Sequence, residues 1–134
     1  MSDPTITVVF DQPSREYAPR MPMSAHYAMT GVIENLRAVE QSVLWYTEGK
    51  GEEDLGVHFF QRLAGSELLK TDVIHGVVTV VLPASPLSYE GLIVKIRWCV
   101  RVRLFFAGGR DFVSEHVFDV GHVPPARLPG EGRT

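Results

Sequence analysis

Lys95, Arg97, Arg101 and Arg103 alternate along the segment KIRWCVRVRLFF, with Cys99 on the same set of positions. An arginine presents a planar fork of donors that pairs bidentately with a carboxylate or a phosphate. Cations at two-residue spacing could therefore hold an acidic peptide, a phosphopeptide or phospholipid head groups. The same row also describes a solvated strand face whose cations pair with carboxylates on the next strand, chiefly Glu115 and Asp119. On that second reading the stripe keeps the face soluble and fixes register, since a slip of one residue would bury several charges. Cations two residues away on either side would lower the Cys99 thiol pKa. The alternative for Cys99 is a small side chain under a neighbouring loop.

Other residue sets carry weaker chemistry. GKGEED, residues 49–54, lacks the spaced second glycine and the Lys-Ser/Thr pair of a phosphate loop. Its acids do not have the spacing of a calcium loop, which supplies about six to eight oxygens. A solvated hairpin loop is expected. His26, His58, His75, His116 and His122 are dispersed, with no zinc-type spacing and no partnered carboxylate. Ser88, in PLSYEG, has no nucleophile-elbow context and reads as turn chemistry. Trp45 and Trp98 read as core, and the functional alternative is an aromatic platform for sugar rings formed by Trp45, Tyr46 and Tyr89. No catalytic residue, cofactor site or metal site is expected.

These residues must be positioned by strands. TITVVF (5–10), SAHYAMTG (24–31), VHFFQRL (57–63), HGVVTVVLP (75–83) and FVSEHVFDVG (112–121) are short β-type runs between turn signals. The segment at 93–106 alternates cleanly, so Ile96, Trp98, Val100, Val102 and Leu104 should face a core. LRAVEQSVLWYT (36–47) has apolar residues on both faces; a helix over 33–46 competes, but the β-branched and aromatic ending favours a strand. Three prolines in DQPSREYAPRMP forbid both a helix and a central strand. AGGRD between two alternating runs signals a hairpin. Seven or eight strands with irregular connections make an antiparallel β-sandwich, with no internal repeat.

At 134 residues the length fits one domain with a real core. We place the sandwich at 1–121 and a flexible tail at 122–134. The net charge of -3 points to neither nucleic acid nor membrane. Charge is uneven, however: residues 1–91 hold six basic and twelve acidic side chains, and residues 92–134 hold seven and four. A polarised surface is expected. One cysteine excludes an internal disulfide and a cysteine-based zinc cage. With no secretory leader pattern and no apolar run of about 20 residues, a soluble cytoplasmic protein is expected.

Three pieces together resemble the arrestin-type half-domain: ITVVFDQPSREYAP, SVLWYTEGKGEEDLGVHFF, and LPASPLSYEGLIVKIRWCVRVRLFFAGGRDFVSEHVFDVG. Tyr17, Ala18 and Pro19 match the family's Tyr-x-Pro-Gly type turn, with Arg20 where glycine is usual. Leu82 and Pro83, the strand at 93–106, and Phe118, Asp119, Val120 and Gly121 match the later elements. The resemblance reaches Gly121 and implies an immunoglobulin-like sandwich, of which this chain has length for one half only. It also implies a binding or scaffolding module without catalysis. The expected partner is a protein or peptide held at a sheet edge or face, including a homo-oligomer formed through sheet edges. A carbohydrate- or small-ligand-binding sandwich is the alternative.

Overall fold

The computed structural model describes residues 4–31, 35–51, 53–65 and 75–121. Among the described residues nine strands follow one another: β1 (Thr5–Phe10), β2 (Glu16–Tyr17), β3 (Pro22–Thr30), β4 (Leu36–Gly49), β5 (Leu55–Ala64), β6 (His75–Val81), β7 (Tyr89–Glu90), β8 (Val94–Phe106) and β9 (Asp111–Val120). One sheet has the order β1-β3-β6; the other runs β2-β9-β8-β4-β5, with β7 added to β8. Pairing is antiparallel throughout, except that β2 lies parallel to β9. The fold is the expected all-β sandwich. The tail at 122–134 falls outside the described residues, as does His122.

Period-two alternation decides which side chains meet between the sheets. Ile6, Val8 and Phe10 of β1 and Met23, Ala25, Tyr27 and Met29 of β3 face Trp98, Val100, Val102 and Leu104 of β8. Phe118 and Val120 of β9 join them. Ile96 was expected in this core and is only half-buried, because it lies at the end of β8 where its neighbour is Tyr89 of the short β7. β4 has β8 on one side and β5 on the other, which explains its apolar residues of both parities. The helix that competed for this segment does not form.

The residues that carried the family resemblance gather at one end. Tyr17 is buried edge-on against Phe118, with ring centroids 5.8 Å apart, and its hydroxyl donates to Asp11 Oδ1 at 2.5 Å. Burial, then that bond to a carboxylate, pushes the Tyr17 phenol up to about 12. Burial opposes ionisation of Asp11, but bonds from Tyr17, the Ser24 amide and nearby backbone together hold it below its ordinary value. Met21 N donates to Ala18 O at 3.2 Å, with Pro19 second and Arg20 third in the turn at φ +66°. That is a type II turn. Ser88 ties the next connection to β9: its amide donates to Val120 O at 2.8 Å, and its Oγ accepts from Val120 N at 2.9 Å.

Candidate interaction surface

The stripe lies on the outer face of the larger sheet, where register brings carboxylates alongside it. Arg101 pairs with Glu115 at 2.6 Å and Arg103 with Asp111 at 2.5 Å. Lys95 pairs with Glu90 at 2.9 Å, and Arg97 with Glu48, a bond that raises the pKa of its guanidinium. Arg62 of β5 extends the ladder to Glu40 of β4 at 2.7 Å. The expected partner Glu115 is in place. Asp111 takes Arg103 in place of Asp119, because Asp111 lies two residues from Val113, which faces Arg103 directly, and so shares its face. The guanidinium carbons of Arg62 and Arg103 lie 4.9 and 4.8 Å from the Phe105 ring centre, shielding it on this face.

The end of this sheet is of a different character. β5 is the last strand in the order, and its sequence LGVHFFQRLA holds one arginine, Arg62, and no lysine or carboxylate. Leu55, Val57 and Phe60 expose 54, 55 and 55% of their surface on its outer side. Their spacing breaks the period of two, since Val43 faces Phe59 and Leu44 faces Val57, leaving His58 as the extra residue of a bulge. The bulge turns His58 inward. Its ring meets Trp98 edge-on at 6.1 Å, and Nε2 lies 2.8 Å from the Val81 carbonyl of β6.

Between the edges of β5 and β6 the sandwich opens into a cleft of about 390 Å³, with Met29, Val39, Leu63 and Val77 among its walls. Gln41 is buried at its floor and fully used. Its Oε1 accepts from the Tyr27 hydroxyl at 2.5 Å, while Nε2 donates to Gln61 Oε1 at 2.9 Å and to Val77 O at 3.2 Å. Side chains from the larger sheet thus occupy two backbone carbonyls of β6, Val77 and Val81. The edge of β6 is partly tied to the larger sheet, while β5 ends that sheet.

Cys99 is covered, as the alternative to a reactive thiol had it, though by neighbouring strands and not by a loop. It is fully buried between Leu44 and Val117, and burial, aided by Glu115, pushes its thiol up to about 12 despite Arg101. The expected lowering required solvent access. Trp45 and Tyr46, as neighbours in a strand, point to opposite faces, so they build no common platform. Trp45 instead lies over Gly56 of β5. His116 shares the inner side of β9 with Ser114, 2.5 Å from its Oγ, and burial followed by Arg15 lowers its pKa. Among the described residues no three His, Cys, Asp or Glu side chains group to hold a metal, and no helix is long and apolar enough to cross a membrane.

The β5 edge was missed in the sequence. Its position as an edge and its bulge come from pairing with β4, which no local pattern shows.

No family model matches the chain. No curated protein matches it either. Among solved structures it is similar to the sporulation control protein Spo0M from Bacillus subtilis, with a TM-score of 0.58 at 12% identity. The match covers 90% of this chain and 50% of that one, so the chain spans about half the length of Spo0M. The shared fold is arrestin-like.

Proposed function

We propose that the chain is a non-catalytic interaction module of the cytoplasm, holding a protein or peptide partner along the edge of β5. The observation that carries this reading is the exposed row Leu55, Val57 and Phe60 on a strand that, among the described residues, has no strand beyond it. A sheet edge supplies main-chain donors and acceptors in register, and alternate side chains supply selectivity. An added strand would cover the outer row and bring its inner side chains to the mouth of the cleft beside Leu63 and Gln61. The cations Lys95, Arg97, Arg101 and Arg103 have carboxylate partners, so in this reading they solubilise the sheet and do not recruit an acidic ligand.

The test is capture from a native extract on immobilised chain, with bound proteins identified by mass spectrometry. Wild type should retain a defined set that Val57→Lys/Phe60→Lys, folded by circular dichroism, does not. Identical retention by both chains would remove β5 from the function.

A further inference from the structure

We infer that the strand taken up by β5 is β5 of a second copy of this chain, paired antiparallel across a twofold axis. This rests on the reading of β5 as the docking edge and names its partner.

The charge order along the strand selects the partner and its direction. Acids stand at one end, Glu53 and Asp54, and the cation Arg62 stands at the other, with Leu55, Val57, Phe59 and Phe60 between them. A parallel mate would place acid beside acid and Arg62 beside Arg62, both unfavourable. An antiparallel mate reverses the order and sets Arg62 of each copy, which also pairs with Glu40 of its own β4 at 2.7 Å, near the acids of the other. Centred between His58 and Phe59, the pairing puts Phe60 opposite Val57 and Arg62 opposite Leu55, with Glu53 on the adjoining diagonal.

The bulge makes this register consistent on both faces. Leu55 and Val57 lie outward before it, Phe60 and Arg62 outward after it. In this register a strand without the bulge would set outward residues opposite inward ones, whereas the extra residue His58 lets outward residues meet outward residues and Gln61 meet Gly56 on the inner side. Leu55, Val57 and Phe60 of the two copies then form one apolar patch, closed at each end by opposite charges. The arrangement is isologous, as a twofold contact requires, and it joins the two larger sheets into one.

Sedimentation of the full chain over a wide concentration range tests this. Wild type should show a monomer–dimer equilibrium, and Val57→Lys/Phe60→Lys should be monomeric at every concentration. Arg62→Glu should raise the dimer dissociation constant at least tenfold, and adding Glu53→Arg to it should restore most of the loss. That charge exchange is the arm that does not depend on the apolar variant folding. A wild type monomeric throughout overturns the inference, and if the extract then yields another protein bound at β5, the proposed function stands with a different partner. A dimer that survives the lysine variant, or a charge exchange without recovery, equally overturns it.

Discussion

Arg20 shows how a single residue can sit against the geometry its turn demands. The third position of a type II turn needs positive φ, which glycine adopts freely and a residue with a Cβ adopts at a cost of roughly 1–2 kcal/mol. Glycine there gives back about 0.5–1 kcal/mol in unfolded-state freedom. Arg20→Gly should therefore raise stability by roughly 0.5–1 kcal/mol in urea unfolding, and a loss of 1 kcal/mol would contradict the turn assignment. Cys99 carries a second prediction. Its thiol and the phenols of Tyr17, Tyr27 and Tyr46 all ionise less readily in the fold than in the unfolded chain, burial being the leading cause in each. Groups raised in this way contribute fully below their unfolded values and lose that contribution as pH climbs towards the folded ones. Stability should fall from about pH 9, by up to about 1.4 kcal/mol per pH unit for each group that ionises only when unfolded. Cys99→Ala should delay the onset to about pH 10, where the tyrosines begin; unfolding midpoints unchanged between pH 8 and 11 would refute this. The sequence placed Cys99 on the correct face. That Leu44 and Val117, and not a loop, cover it was illegible, because alternation assigns a side chain to a face without saying which neighbouring rows cover it.

At the scale of the strand, legibility tracked length. β1, β4, β6, β8 and β9 are long enough to show a period or a sustained apolar run, and each begins within two residues of where the sequence put it. β2 and β7 have two residues each and no period to read, so the proline-containing connections that hold them read as irregular. β5 was found as a strand, but its edge position and bulge depend on pairing with β4 that no local pattern encodes. Its contact with β4 makes a testable point at Gly56, which faces Trp45 across the ladder. A Cβ there would overlap the indole, which packs against the core from the end of β4. Gly56→Val should therefore destabilise the chain by roughly 1–3 kcal/mol, in spite of the high strand propensity of valine, because the ring must leave its place. Denaturant midpoints of wild type and variant decide it, and a variant as stable as wild type would show that Trp45 is free to move.

The whole molecule separates its charge by layer, a polarity that the uneven composition foreshadowed only as a difference along the chain. The outer face of the larger sheet carries the ion pairs of Arg62, Lys95, Arg97, Arg101 and Arg103. The outer row of the smaller sheet reads Thr5, Thr7 and Val9 on β1, Ser24, His26 and Ala28 on β3, and His75, Val77, Thr79 and Val81 on β6, without a carboxylate, lysine or arginine. The ladder therefore keeps one face wet while β5, at its end, stays apolar. Exposed pairs contribute about 0–1 kcal/mol each, and like charges brought opposite each other cost a similar amount. Arg101→Glu/Arg103→Glu should accordingly lower stability by roughly 1–3 kcal/mol at low ionic strength, with less effect in 1 M salt, where the screening length is about 3 Å. Adding Glu115→Arg and Asp111→Arg to the same chain should recover most of the loss, since the pairs re-form with their signs exchanged. Sedimentation of the double variant should match wild type, because β4 separates β8 from β5. Urea unfolding at two salt concentrations measures the first effect and sedimentation the second. A double variant as stable as wild type but with its self-association abolished would move recognition from the strand edge to the basic stripe.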